Sequence, residues 1–300
     1  MPRLEVPGGH INYLMLERAA ARPAREAIVF VHGMASSLAF WNLKLTQNLA
    51  DYYSVFVVDL RGHGRSSIPD KGYRPGDLAG DITRLLDHHS IPSAHIIAHS
   101  FGGCVALKVA DQHPKVVSSL TIIDTRLRSI QPTIDFSKWS YWPVYKKSLE
   151  DAGVIGFEAA GELGAAMFTE MAKLRLENSD QFERLSGAMI IPFAGIGGAN
   201  SARRWLKLID ETSFLEEYKA EDALEESLLG RLDVPTLLLY GEYSQALPSA
   251  EALAEKLATA TLCIVEKAGH FFPLVRPDTV NGAVFEFLEQ CSARQQAAAY

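Results

Sequence analysis

The segment Ala98-His99-Ser100-Phe101-Gly102-Gly103 stands directly after a short apolar run and directly before a stretch of helical periodicity. A serine on so sharp a strand-to-helix turn has a strained backbone, and its neighbours must be small; Ala98 and Gly102, two residues to either side, meet that need. The following helix would aim its unpaired N–H groups and positive dipole end at the turn, where an oxyanion could develop. Ser100 is thus a candidate nucleophile, and the plainer alternative is a serine that caps the helix. Other chemically capable residues also stand at the ends of apolar runs. They are His32-Gly33-Met34, the stretch from Asp59 to Ser67, Asp124, Glu242 with Ser244, and His270 within Ala268-Gly269-His270-Phe271-Phe272-Pro273.

The elements that must position these residues follow from periodicity. Residues 2–17 read as a hairpin around Pro7-Gly8-Gly9. The runs at 27–31, 54–58, 94–98, 120–123, 236–240 and 261–265 are short, continuous and rich in β-branched residues, which suits strands buried on both faces of a parallel sheet. Helical periodicity separates most of them, at 38–49, 77–89, 104–113, 249–258 and 279–290. Strands alternating with helices imply right-handed crossovers and a doubly wound α/β sheet. The alternation breaks once: from about 125 to 230 the chain reads mainly as helices, for instance 163–176 and 215–229. The expected organisation is a core of residues 1–124 and 231–294, a helical cap at 125–230, and a frayed tail at 295–300.

Composition bounds the function. The chain has 300 residues, 48% hydrophobic and 22% charged, which excludes a collagen-like or largely disordered protein. Its 29 basic and 36 acidic residues give a net charge of −7, with no general attraction to nucleic acid or to an anionic membrane. Three cysteines cannot all pair and show no metal-type spacing; a reducing, cytoplasmic setting is the simplest expectation, with no metal and no cofactor. Neither a signal peptide nor a membrane helix is expected.

The serine turn resembles the nucleophile elbow of the α/β-hydrolase fold family, usually G-x-S-x-G, with Ala98 in place of the first glycine. The resemblance runs from the hairpin to the last helix and implies a mostly parallel eight-stranded sheet with a helical cap insertion. It implies a nucleophilic Ser100, a general base at His270, and an oxyanion hole from the backbone N–H groups of Met34 and Phe101. Asp59-Leu60-Arg61-Gly62-His63-Gly64-Arg65-Ser66 looks like the family's D-x-R-G-x-G-x-S turn, a structural element in which Asp59 and Arg61 are expected to pair locally. One departure concerns the acid that orients the histidine. The family most often has G-x-x-D here, whereas this chain reads Gly241-Glu242-Tyr243-Ser244. Asp124, one strand earlier, where a minority of members keep their acid, is the favoured substitute, and Glu242 is the alternative. A serine at the elbow points away from the family's dehalogenase and epoxide hydrolase branches, which use aspartate.

The cap is rich in aromatic and methionine side chains, so the implied partner is a small apolar or aromatic acyl substrate, with His32, Trp139, Trp142, Phe193 and Phe271 as candidate pocket residues. The alternative is that the same side chains only pack the cap on the core. The stretch 190–200 mimics a dinucleotide fingerprint, but Pro192 interrupts its strand and Asn200 replaces its last glycine; a cap hinge is the better reading. The acidic residues from Glu211 to Glu226 read as a solvated helix face. Three activities remain open: a serine hydrolase acting on an ester, a thioester or the C–C bond of a diketone-type substrate; a cofactor-independent dioxygenase or lyase using His270 and Asp124; and a non-catalytic small-ligand receptor. The oligomeric state is not indicated.

Overall fold

The computed structural model describes residues 1–17, 26–41, 43–155, 163–220 and 225–298. A hairpin of β1 (Arg3–Val6) and β2 (Gly9–Leu16) comes first, turned at Gly8, whose φ of 87° favours glycine. There follow β3 (Ala27–Val31), α1 (Leu43–Ala50), β4 (Val55–Asp59), α2 (Pro75–His88), β5 (Ala94–His99), α3 (Phe101–Gln112) and β6 (Val117–Ile123). The stretch expected as one helix at 38–49 is a 3-10 turn at Leu38–Phe40 followed by α1.

The described strands form one eight-stranded sheet in the order β1-β2-β4-β3-β5-β6, completed by β7 (Thr236–Gly241) and β8 (Ala260–Val265). Only the hairpin side is antiparallel; β4 to β8 run parallel. The central strands are buried on both faces, and their alternation divides two cores. Ile28, Phe30, Val55 and Val57 face one side, toward α1 and the final helix, whereas Val29, Val31, Phe56 and Val58 face the other, toward α2 and α3. The strand order reverses between β3 and β5: the chain runs outward to β4 and returns past β3 to β5. The carboxyl ends of β3 and β5 therefore open a crevice, the place where open α/β sheets bind ligands.

Between β6 and β7 the described elements are helical: α4 (Trp142–Asp151), α5 (Leu163–Glu177), α6 (Ser179–Ala188), α7 (Gly198–Glu211), α8 (Phe214–Ala220) and α9 (Glu226–Leu229). They form the cap insertion. The helix expected at 215–229 is two pieces, with residues 221–224 outside the described set. The dinucleotide-like stretch is a loop into α7, with Phe193, Gly195 and Gly197 at φ of 67°, 73° and 84°, and no strand precedes it. After β7 come α10 (Leu247–Lys256), β8, the short α11 (Phe272–Val275) and α12 (Pro277–Ala298). Residues 295–298, expected as a frayed tail, continue α12, a run that the Ala- and Gln-rich sequence suits. Ala299 and Tyr300 lie outside the described residues.

Two local expectations change. Asp59 does not pair with Arg61. Its carboxylate accepts from Leu38 N (2.7 Å), Arg65 N (2.9 Å) and Asn12 Nδ2 (2.8 Å), while Arg61 makes a bidentate pair with Asp81 of α2 at 2.6 and 2.7 Å. The turn after β4 supplies the Arg65 N–H, the segment after β3 the Leu38 N–H and β2 the Asn12 amide, so Asp59 is occupied from three sides, and the Arg61 side chain crosses to the neighbouring helix. Glu217, expected on a solvated face, instead accepts from Gly72, Tyr73 and Arg74 N–H groups, tying α8 to the start of α2. Those donors and the Ser213 hydroxyl overcome the cost of burial and hold the Glu217 carboxyl below the usual range. Arg204 adds a second tie from cap to core through the carbonyl of Ser66 at 2.6 Å.

Candidate active site

Ser100 stands between β5 and α3 with φ 54° and ψ −124°, a conformation that costs an L-residue about 1–3 kcal/mol. Local packing enforces it. Ser100 N donates to Ile123 O (2.9 Å), and Thr125 Oγ1 donates to Ser100 O (2.9 Å), so both sides of the turn are pinned to β6 and its exit. The small neighbours have a measurable reason. A Cβ on Gly102 would lie 2.5 Å from Val31 O, and one on Gly103 would lie 2.0 Å from Thr125 Oγ1. Gly33 likewise leaves no room for a side chain, its missing Cβ falling 2.9 Å from Ser100 Cβ. The exit of β3 is thereby pressed against the serine, and Met34 follows immediately. Phe101 is the first residue of α3, where a backbone N–H has no partner inside the helix.

Although it occupies the N-cap position, the Ser100 side chain makes no capping bond. Its Oγ lies 3.1 Å from His270 Nε2, and His270 Nδ1 lies 2.7 Å from Asp124 Oδ1. Ser100, His270 and Asp124 thus form one continuous hydrogen-bonded line, from the exits of β5, β8 and β6 respectively. Asp124 is fully buried and stands in the left-handed region (φ 49°), which a short polar side chain tolerates. Its carboxylate accepts three hydrogen bonds: Gly241 N donates to Oδ2 at 2.9 Å, and the Ser244 hydroxyl donates to Oδ1 together with His270. Ser244 stands where the family most often has its aspartate. In the fold its hydroxyl donates to the carboxylate of Asp124, which stands one strand over. Adjacent parallel strands are about 4.8 Å apart, and Ile123 is in register with Leu239, so a carboxylate just past β6 reaches the space just past β7.

Glu242, the alternative acid, is not brought to His270 in this structure. It is exposed and accepts from Lys267 N at 2.6 Å, away from the His270 ring. A residue not foreseen from sequence is His99. Its Nε2–H donates to the backbone carbonyl of His270 (2.9 Å), and its ring stacks on Phe40 at 4.4 Å. Burial, with the charge of His270 beside it, holds His99 well below the usual imidazole range. The neutral ring therefore fixes the loop that carries His270. Only its place inside the elbow motif hinted at such a role.

A cavity of about 440 Å³ opens beside Ser100, Met34, Phe101 and His270. Of the five pocket candidates, Trp139 and Phe271 line it. Trp139 is held by its indole N–H on Tyr243 O at 2.7 Å. The other three do not line it. His32 lies beneath the site, wholly buried, donating through Nδ1 to Gly33 O (2.7 Å) and accepting at Nε2 from Leu60 N (3.1 Å). Trp142 packs behind Trp139 and Phe136 at 5.3 and 4.4 Å, and Phe193 closes its own loop against Gly198. In their stead the cap presents Tyr145, Met167, Phe168 and Met189.

A strained serine at the switch point of a doubly wound sheet, facing a histidine and a buried carboxylate, defines a class of α/β enzyme. The comparisons with known proteins agree. The family described as alpha/beta hydrolase fold matches residues 26–153. A RutD protein of Variovorax paradoxus (strain S110), whose name proposes carbamate hydrolysis, is 25% identical over 275 residues, covering 89% of this chain and 93% of the relative. A non-heme chloroperoxidase of Streptomyces lividans is 27% identical over 277 residues, 87% of this chain and 91% of its own length. Among solved structures, an esterase from Rhodococcus sp. ECU1013 superposes with a TM-score of 0.66 at 18% identity, over 96% of this chain and 97% of that one. The chain thus has the α/β-hydrolase fold, its residues 26–153 match that family, and a relative along most of its length is named as a hydrolase. Among the described residues no helix is long and apolar enough to cross a membrane.

Proposed function

We propose that this protein is a serine hydrolase that cleaves an ester, a thioester or a diketone-type C–C bond of an apolar or aromatic acyl substrate through an acyl-enzyme on Ser100. The observation that carries the reading is the line Ser100 Oγ to His270 Nε2 at 3.1 Å and His270 Nδ1 to Asp124 Oδ1 at 2.7 Å. In the neutral enzyme His270 Nδ1–H donates to Asp124, which leaves the Nε2 lone pair to accept from the Ser100 hydroxyl. As Ser100 Oγ attacks the substrate carbonyl, its proton passes to Nε2 and the carbonyl π electrons move onto oxygen. Asp124 stabilises the imidazolium without being protonated itself. The oxyanion is met by the N–H groups of Met34 and Phe101, each such donor contributing about 3–4 kcal/mol in comparable sites. Collapse expels the leaving group, which takes the proton from Nε2. Water, activated by the same nitrogen, then releases the acyl group and restores the serine.

Asp124 suits the part because Gly241 N–H and Ser244 O–H also donate to its carboxylate and hold its orientation toward His270. The cavity wall supports the acyl class, since Trp139, Tyr145, Met167 and Phe168 offer apolar contact beside the serine. A fluorophosphonate probe should label Ser100 stoichiometrically, with the adduct placed by peptide mass spectrometry and lost in Ser100→Ala. Folded, unlabelled wild-type protein would refute the nucleophile assignment. Mass spectrometry of the acyl–Ser100 species across a panel of esters and thioesters would then rank acyl groups.

A further inference from the structure

The cavity walls carry a charge imbalance that an apolar acyl group does not explain. Arg126, Arg128, Lys267 and Arg276 line it, and among the described residues no aspartate or glutamate does, although the whole chain carries a net charge of −7. The four cations are not equivalent. Arg276 spends its guanidinium on the carbonyls of Glu266 (2.6 Å) and Lys267 (3.1 Å). Arg128 lies over the Tyr218 ring, 4.4 Å from its centroid. Lys267 is exposed. Arg126 is half-buried, and its guanidinium has no hydrogen-bond or ion-pair partner among the described residues.

Arg126 is also held close to the chemistry by its backbone. It follows Asp124-Thr125, and Thr125 is bonded to the carbonyl of Ser100. The Arg126 carbonyl accepts from the thiol of Cys104, one turn into the helix that starts at the serine, at 3.8 Å. An arginine placed in an apolar wall without a carboxylate loses hydration and gains nothing in return unless a ligand completes it. Its planar fork matches a carboxylate in two parallel hydrogen bonds.

We infer that Arg126 is the anion subsite of this cavity, and that the substrate is an acyl compound bearing a carboxylate away from the scissile bond. The inference rests on the proposed cleavage at Ser100 and adds the polarity of the substrate. Arg126 touches only the remote carboxylate; the bond broken and the proton route stay as described above.

The test uses the full chain and a ladder of mono-4-nitrophenyl esters of dicarboxylic acids from glutaric to suberic, each paired with its terminal carboxamide, which is nearly isosteric and neutral. At the chain length that fits, the carboxylate should exceed the carboxamide in kcat/KM by about tenfold or more, as expected for hydrogen bonds to a charged group. Arg126→Met should bring that ratio close to one, Arg126→Lys should keep part of it, and the distant surface change Lys207→Met should leave it alone. Binding of the same pairs to Ser100→Ala, followed by calorimetry, reads recognition without turnover. A ratio near one at every length, or a ratio that survives Arg126→Met in folded protein, overturns the inference. If Ser100→Ala binds carboxylates through Arg126 but the wild type cleaves nothing, the hydrolase reading falls and the subsite stands. If neutral esters are cleaved and Ser100→Ala does not discriminate, the subsite falls and the hydrolase reading stands.

Discussion

Acidification should draw down stability held by two imidazoles buried beneath the active site. Burial, against the opposing bond to Gly33 O, lowers His32 to about 4; burial and then the charge of His32 lower His63 to about 3. Their ring centroids are 5.4 Å apart, and the His63 Nδ1–H donates to Arg61 O at 2.9 Å. In the unfolded chain both titrate near ~6.5. Both folded values lie below that, so between them and ~6.5 the unfolded state binds more protons and stability rises with pH. Stability is therefore full above about 6.5 and falls as the pH drops through that value toward the folded ones. At about pH 5 each group would cost about 2 kcal/mol relative to neutral pH, and together about 4 kcal/mol, out of a typical total of about 5–15. The loss reaches function directly, because a protonated His32 can no longer accept from Leu60 N, and its other nitrogen holds the carbonyl of Gly33 beside Met34. Urea unfolding followed by tryptophan fluorescence, at neutral pH and at about pH 5, measures the difference for wild type, His32→Gln and His63→Gln. Each variant should start less stable at neutral pH and lose about 2 kcal/mol less than wild type on acidification. An unchanged pH dependence in both variants would refute the reasoning.

Asp124→Asn should lower kcat by about 10³–10⁴-fold with little change in fold, because the amide favours the wrong imidazole tautomer, whereas Glu242→Gln should stay within about tenfold of wild type. Steady-state kinetics on a single activated ester decides, and the reverse order would move the acid to Glu242. Gly102→Ala should destabilise by about 1–3 kcal/mol and slow acylation, since its Cβ would sit 2.5 Å from Val31 O and 2.6 Å from His32 O, backbone atoms that cannot swing aside. A thermal melt and burst kinetics would show both losses, and a fully stable, fully active variant would argue that the elbow and the β3 exit are not in contact.

Much of the fold was legible because its signals are local. Continuous apolar runs such as Ala27–Val31 mark strands buried on both faces, and a serine between a strand and a helix with alanine and glycine around it is itself a geometric statement. Boundaries were less legible where capping and tertiary contact compete, as at residues 38–49, where a 3-10 turn precedes α1. The cap was the least legible part of the candidate site. Trp139, Trp142 and Phe193 are equivalent as aromatic residues in a helical segment, but packing turns only Trp139 into the cavity, with its indole tied to Tyr243. His32 reads as a site residue by its place after β3, yet its polar neighbours are Gly33 O and Leu60 N, so it braces the site from below.

By itself, then, the sequence determined the pieces whose geometry is written in consecutive residues: the sheet strands, the elbow at Ser100, the glycines that let β3 approach it, and the histidine loop after the last strand. The tertiary structure alone decided which carboxylate meets His270 and which side chains face the cavity. Asp124 and Ser244 are separated by 120 residues and are brought together by the parallel register of β6 with β7. No local pattern encodes that juxtaposition, because it depends on two strands distant in sequence choosing each other as neighbours and on the cap between them closing over their ends.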